Sequence, residues 1–206
     1  MIFRETISED LAAVIQKIFD EKMFNNFRLC GGTALALQLG HRISVDADFV
    51  TEKDFNREEI IKTTTEIFKN TSDIQNGTHG VFLRAESIKV DFLTWNIPFI
   101  KEQIAFENWR ICSLEEIAAM KLFAITQRGE KKDYFDIVAL LSKYSLGQLF
   151  DFYKERHLQN DVSVVARFLV SYSDFDNSPD PIMLNNMKWE DCKNILQKSV
   201  GEYLNQ

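Results

Sequence analysis

The sequence has few cysteines, few prolines and no long apolar run, and these shortages exclude several classes of protein. Its three cysteines, Cys30, Cys112 and Cys192, are widely spaced and form no CxxC pair, so neither a disulfide framework nor a zinc site is indicated. No apolar run reaches the roughly 18 to 20 residues of a membrane-spanning helix. Because the first residues carry charges and do not form a signal peptide, we expect no membrane partner and a cytoplasmic location.

The sequence also has fewer basic residues than acidic ones. The 206 residues include 24 Lys and Arg against 31 Asp and Glu, a formal net charge of -7. This balance argues against a sequence-independent grip on nucleic acid over the whole surface. It leaves room for a local basic patch, and such a patch is indicated by Lys121, Arg128, Lys131 and Lys132.

Helical and extended patterns alternate in the first half of the chain, whereas the pattern after Ser113 is helical throughout. Strands are predicted at residues 27–30, 44–51, 81–84 and 87–94, and helices at 8–23, 34–39 and 56–70. We therefore predict an α/β core over residues 1–100. A helical region over residues 101–206 is expected to pack on that core and complete its site.

A turn rich in glycine leads from a predicted strand into a predicted helix. Gly31 and Gly32 allow backbone amides to approach a ligand, and the helix that follows offers free N–H groups and a positive dipole end. The Thr33 hydroxyl can cap this helix or contact a phosphate. Arg42 fits either a phosphate contact or a structural salt bridge. Two glycines and a threonine also suit an ordinary tight turn, but their position 13 residues before a pair of acids favours phosphate binding.

Three acids lie on the polar faces of two predicted strands. Asp46 and Asp48 are two residues apart, so both point to one side of a strand. In IKVDFL, Asp91 likewise lies opposite the apolar face. Two ionised carboxylates this close repel each other and need a compensating cation or a raised pKa, and oxygen ligands suit Mg²⁺. If the two strands are neighbours, Asp46, Asp48 and Asp91 converge on one metal site; otherwise they are solvated surface acids.

A lysine stands in an apolar helix. Lys121 has four apolar residues on either side, and a buried ammonium is costly unless it is paired. Arg128 lies on the same helix face, and Asp133 and Asp136 follow three residues apart on the next helix. A helical hairpin could bring these acids to Lys121. The group is either a salt-bridge network of the core or a lysine that an aspartate orients toward a triphosphate.

These motifs together resemble the AbiEii/AbiGii toxin family of nucleotidyltransferases. The family pattern is GG-T/S-AL, then H-R-x-S-x-D-x-D-F, then a lysine-bearing helix leading to R-x-x-K-D-x-x-D. This chain has GGTAL, HRISVDADF and MKLFAITQRGEKKDYFDIVALL, and the likeness covers residues 27–141. One departure is an extra spacer after Arg128, which leaves its role less defined than that of Asp133.

The resemblance implies a fold and a biological setting. The fold would be α+β: a polymerase-β-like nucleotidyltransferase mixed sheet flanked by helices, followed by a C-terminal helical bundle. The setting would be a type IV toxin–antitoxin or phage-defence system, with a winged-helix antitoxin encoded alongside. Some members of the family add nucleotides to the acceptor end of tRNA.

The expected reaction is transfer of NMP from a nucleoside triphosphate to an acceptor hydroxyl of a tRNA 3′ end or a protein. The phosphates would lie on residues 31–33, with contacts from Arg42 and Arg128. Two Mg²⁺ ions would be held by Asp46, Asp48 and Asp91. Lys121 would neutralise the β- and γ-phosphates, with Asp133 holding its ammonium. The alternative is a catalytically inactive module of the same fold that acts through a protein partner.

Overall fold

The computed structural model describes residues 2–78, 80–127, 129–157, 161–172 and 174–205. The chain divides into two compact units. The first comprises residues 1–40 and 44–113, and the second comprises residues 41–43 and 114–206.

The first unit is built on a mixed sheet whose seven strands all lie in the described residues. In chain order they are β1 Arg28–Cys30, β2 Asp46–Thr51, β3 Thr71–Gly77, β4 Gly80–Ala85, β5 Ile88–Thr94, β6 Ile104–Phe106 and β7 Trp109–Ile111. Their spatial order is β3-β4-β5-β2-β1-β7-β6. The β2–β5 and β1–β7 pairs are parallel and the others antiparallel. The α+β class expected from the sequence is confirmed.

Three α-helices accompany the sheet: α1 Glu9–Asp20, α2 Gly31–Leu39 and α3 Arg57–Ile67. The Ser8 hydroxyl caps α1 by accepting from the Leu11 amide, and Asn56 caps α3 in the same way. Gly40 ends α2 in the left-handed conformation at φ 66°, which glycine adopts without steric cost.

The core of the first unit lies against one face of the sheet because β2 and β5 alternate apolar and charged residues. Phe49 and Phe92 stack with ring centroids 5.5 Å apart, and Phe92 also stacks on Phe24 at 5.1 Å. Ala47, Phe49, Val90 and Phe92 are fully buried. Since neighbouring residues of a strand point to opposite faces, the charged residues between them share the other face.

The second unit contains five α-helices within the described residues. They are α4 Leu114–Gln127, α5 Lys131–Leu141, α6 Leu146–Arg156, α7 Val162–Phe168 and α8 Trp189–Leu204. α4 packs on α5, α6 and α7, and α8 packs on α5 and α6. Of the helices found in the described part of the chain, none is both long and apolar enough to cross a membrane.

The helical part begins at Leu114 and not at residue 101. Residues 104–111 form β6 and β7, which extend the sheet of the first unit. Three-residue strands carry too little alternation to be recognised in a sequence.

The cysteine spacing indicated no disulfide framework, yet Cys30 and Cys112 are disulfide-bonded. Cys30 ends β1, and Cys112 follows β7, the parallel neighbour of β1. Their Cα atoms are 5.1 Å apart although 82 residues separate them in the chain. Strand pairing brings them together, and sequence spacing does not reveal it. Cys192 is a buried free thiol.

Candidate active site

Four charged side chains share one face of the parallel strands β2 and β5. The register pairs Asp46 with Lys89 and Asp48 with Asp91. Residues paired in this way point to the same side of a sheet. The strands that carry the three acids are therefore neighbours, which is the condition that the sequence analysis set for a shared site. We call Asp46, Asp48, Lys89 and Asp91 the charged quartet.

Lys89 is the one cation of the quartet, and it lies among the acids. Its Nζ is 2.8 Å from Asp91 Oδ2. Burial alone would lower the pKa of Lys89, but Asp91, Asp48 and Asp46 together raise that pKa above its ordinary value. The ammonium therefore senses all three carboxylates.

The quartet has the donor chemistry of a site for a hard divalent ion, since carboxylate oxygens are the ligands that Mg²⁺ favours. Asp91 Oδ1 is buried and, in the described part of the chain, has no hydrogen-bond partner, so one acceptor oxygen is available to a cation. Within the same residues, however, no three His, Cys, Asp or Glu side chains are grouped so that they could hold a metal ion together. The carboxylate oxygens thus suit a divalent ion by their chemistry. The cation that contacts them in this structure is the Lys89 ammonium.

The glycine turn lies directly against this face. Gly31 begins α2 with φ 64°, and a side chain at this position would collide with the carboxylate of Asp48. Only glycine therefore allows the start of α2 to approach the acid so closely. This contact brings the start of α2 and the Asp48 carboxylate together, while phosphate binding at the turn stays a prediction.

Thr33 has a different local role from the expected helix cap. The helix begins at Gly31, three residues earlier than a cap at Thr33 requires. The Thr33 hydroxyl donates to the backbone oxygen of Asp46 and lies 2.9 Å from the Ser44 hydroxyl. It therefore fixes the first turn of α2 to the first residue of β2. Gly32 is buried in the same turn.

In the second unit, Asp136 accepts bonds from three cationic or basic side chains. Its Oδ1 is 2.7 Å from Arg42 Nε and 2.8 Å from His41 Nε2, and its Oδ2 is 3.0 Å from Arg42 Nη2. Lys121 Nζ is 2.6 Å from Oδ2. Burial alone would raise the pKa of Asp136, but Lys121, Arg42 and His41 hold it well below its usual range.

Lys121 is held by two acids, as the sequence analysis expected for a helical hairpin. Its Nζ is 2.7 Å from Asp133 Oδ1, and the other Asp133 oxygen accepts the Glu130 amide at 3.1 Å in the capping box of α5. Burial would lower the pKa of Lys121, but Asp133 and Asp136 raise it above its ordinary value. Lys121 is therefore a charged ammonium in a buried setting.

The predicted residues fall into two groups. Gly31, Asp46, Asp48 and Asp91 lie together in the first unit, whereas Lys121 and Asp133 lie together in the second. Arg42 forms the structural salt bridge that was one of its two expected roles. Arg128 lies outside the described residues. Lys89 was missed as a site residue, although its position two residues before Asp91 places it on the same face.

The chain is also similar to known proteins. The family model described as Nucleotidyl transferase AbiEii toxin, Type IV TA system, matches residues 13–194. The uncharacterized protein aq_aa25 of Aquifex aeolicus (strain VF5) is 28% identical over 206 residues, covering 96% of this chain and 98% of that protein.

Two solved structures share the fold. JHP933 from Helicobacter pylori has a TM-score of 0.59 at 22% identity, covering 95% of this chain and 92% of that chain. The antibiotic-resistance factor ANT(2'')-Ia has a TM-score of 0.55 at 14% identity, covering 73% of this chain and 92% of that chain. Because the family model spans most of the sequence, the chain belongs to the AbiEii nucleotidyltransferase toxin family of type IV toxin–antitoxin systems.

Proposed function

We propose that this nucleotidyltransferase moves NMP from a nucleoside triphosphate to an acceptor hydroxyl with the help of Mg²⁺. The observation that carries the proposal is the contact between the glycine turn and the charged quartet: α2 begins at Gly31 directly against the Asp48 carboxylate. Amides for phosphates and oxygens for a divalent ion are thus adjacent within one unit.

The start of α2 is the proposed phosphate seat. The first amides of a helix have no partners inside the helix, and the helix dipole adds positive potential at that end. Gly31 and Gly32 carry no side chain that would stand between these amides and an anion. Thr33 contributes by holding α2 against β2 through its bond to Asp46.

Asp46 and Asp48 are the proposed principal ligands of the metal, and Asp91 is the proposed third acid. A divalent ion bound there would neutralise phosphate charge and make the acceptor hydroxyl a better nucleophile. The protein fixes these carboxylates by β-pairing, since Asp48 and Asp91 are register partners on adjacent strands. Rigid strands hold ligands more accurately than loops do.

Lys121 and Asp133 are proposed to serve the same reaction, with the Lys121 ammonium neutralising the departing pyrophosphate. Support comes from the 2.7 Å ion pair, which keeps the ammonium charged although it is buried. We further propose that the acceptor is a tRNA 3′ end or a protein hydroxyl, and that a winged-helix antitoxin opposes the toxin.

The test is a transfer assay with Asp48→Asn. Purified protein is incubated with each labelled nucleoside triphosphate, Mg²⁺, and either total RNA or cell protein, and label in each fraction is counted. We expect Asp48→Asn to lower transfer at least about 100-fold, because it removes a charged ligand at the reacting centre. The matched control, Asp54→Asn, removes the same charge from an exposed position after β2 and should retain activity.

The same assay separates the alternatives. Undiminished transfer by Asp48→Asn would falsify the proposed site. Label in RNA identifies a nucleic-acid acceptor, and label in protein identifies a protein acceptor. Loss of activity in Lys121→Met with unchanged triphosphate binding would support a role for Lys121 in the chemical step. No transfer by the unaltered protein in any fraction would favour the inactive binding module.

A further inference from the structure

We propose that Lys89 is a built-in counter-ion of the carboxylate cluster, and that a divalent cation binds there by displacing the Lys89 ammonium. This inference rests on the proposed metal dependence of the reaction. It assigns to Lys89 a positioning role in the site: it sets the metal affinity and keeps the acids together when no metal is bound.

The first argument is charge. Three carboxylates on one face of two adjacent strands repel one another when ionised. Lys89 lies opposite Asp46 in the register, two residues from Asp91 and on the same face. Its ammonium is 2.8 Å from Asp91 Oδ2. This one positive charge offsets part of the repulsion of three negative charges, so the cluster is stable as it stands.

The second argument is the arrangement of ligands. The donor oxygens suit a divalent ion, yet the described residues contain no three acidic, histidine or cysteine side chains grouped to hold one. The Lys89 ammonium contacts one oxygen of the third acid, Asp91 Oδ2. The other oxygen, Asp91 Oδ1, is buried with no hydrogen-bond partner among those residues, and a second cation can approach it.

The third argument is mobility. The Asp91 side chain is 9% exposed, whereas the Lys89 side chain is 43% exposed. The acid is therefore fixed by its surroundings, and the lysine can turn its flexible four-carbon stem away. Lys89 also lines a surface depression of about 510 Å³ together with Phe82, Arg84 and Gln75. This depression offers the displaced ammonium a solvated position.

The affinity of the site for metal should then reflect a competition. A divalent ion gains contact with the acids only as it breaks the Lys89–Asp91 ion pair. Removing the ammonium removes the competitor for Asp91 and one positive charge from beside the acids. A variant without this charge should therefore bind a divalent cation more tightly, although it lacks an interaction that stabilises the metal-free protein.

The experiment measures Mn²⁺ binding to the full chain by electron paramagnetic resonance, with Mn²⁺ alone as the probe. Lys89→Met keeps the length of the side chain and removes its charge. We expect Lys89→Met to bind Mn²⁺ about three- to tenfold more tightly, the range that corresponds to the loss of a partly exposed ion pair. Lys89→Arg retains the charge and should bind like the unaltered protein.

Lys62→Met is the matched control for net charge. Lys62 lies on α3, and its side chain is 76% exposed, so its removal should leave Mn²⁺ affinity unchanged. Thermal unfolding supplies a second measurement. Without metal, Lys89→Met should melt about 2–4 °C lower than the unaltered protein, and saturating Mn²⁺ should raise its midpoint by more than it raises that of the unaltered protein.

Two results would overturn the inference. If the unaltered protein binds Mn²⁺ and Lys89→Met binds it equally or more weakly, the counter-ion role is wrong while the proposed metal dependence stands. If neither protein binds Mn²⁺, the proposed metal dependence fails together with the counter-ion role. Should Lys89→Met not fold, Lys89→Gln, which keeps a hydrogen-bond donor for Asp91, is expected to show the same gain in affinity.

Discussion

For single residues of the site, the strand face on which each side chain lies is predictable from the sequence. The residue that pairs with it on the next strand is not. The i, i+2 spacing of Asp46 and Asp48 was enough to place both on one strand face, since alternation is a local property. The pairing of Asp48 with Asp91 and of Asp46 with Lys89 depends on strand register, which one sequence does not specify. The role of Lys89 was therefore not predicted.

Gly31 gives a prediction at this scale. Gly31→Ala should destabilise the protein by about 1–2 kcal/mol from the left-handed backbone alone, and the added methyl group must also push the Asp48 carboxylate aside. Differential scanning calorimetry measures the first effect and Mn²⁺ titration the second.

Gly201→Ala is the control for that substitution. Gly201 lies in α8 with no atom near the position of an added methyl group. Alanine is the better helix former, so this change should stabilise the protein by up to about 1 kcal/mol. Unchanged stability and unchanged metal binding in Gly31→Ala would show that the turn does not need glycine.

At the scale of elements, α4 and α5 form a hairpin around a buried ion network. The approach of Asp133 and Asp136 to Lys121 was predicted because helical spacing places the acids on one face. The hydrogen bonds of His41 and Arg42 to Asp136 were harder to predict, since each residue lies more than 90 residues before Asp136. Asp136 is fully buried and contacts both of these side chains and Lys121.

Asp136→Asn should therefore destabilise the protein by about 3–5 kcal/mol at pH 7, because it leaves two buried cations without their shared carboxylate. Chemical denaturation measures the change. The control Asp151→Asn removes an acid that is 71% exposed on α6 and should shift stability by less than about 1 kcal/mol.

The effect of Asp136 should also depend on pH in a defined direction. Its pKa is lower in the folded chain than the ordinary value of 3.8, so the stability that it contributes is complete above that value and is lost as pH falls below it. The difference in stability between the unaltered protein and Asp136→Asn should shrink in acid. A difference that stays constant down to pH 2 would contradict this account.

Elements with strong local signals were predicted and those without were not. The helices expected at residues 8–23 and 34–39 have such signals, since Ser8 caps the first and Gly40 ends the second in the left-handed conformation. β3 was missed because its side chains are mostly exposed and polar, so it lacks the alternation that marks a half-buried strand. The disulfide of Cys30 and Cys112 was missed because it follows from the pairing of β1 with β7.

At the scale of the whole molecule, stability should begin to fall at pH values well above the pKa values of the acidic side chains. Burial and the neighbouring Arg156 lower the pKa of His157 from 6.5 to about 4. The unfolded chain therefore takes up a proton before the folded chain does. Stability should be complete above pH 6.5 and should fall as pH decreases from 6.5 to 4.

His157→Phe tests this dependence. The His157 ring stacks on Phe123 with centroids 4.6 Å apart, and phenylalanine can keep that contact without titrating. Thermal midpoints are compared between pH 7 and pH 5, above the range in which most acids titrate. The variant should lose less stability over this interval than the unaltered protein, and parallel profiles would show that His157 is not responsible.

The division of β2 and β5 into an apolar side and a charged side has a practical consequence. Asparagine is close to aspartate in size, so replacing Asp46 and Asp48 by asparagine should leave the aromatic packing on the opposite face of the sheet unchanged. If these acids hold the metal as proposed, the double variant should be inactive in nucleotide transfer and keep its fold. It would then be a safe bait with which to capture the proposed antitoxin.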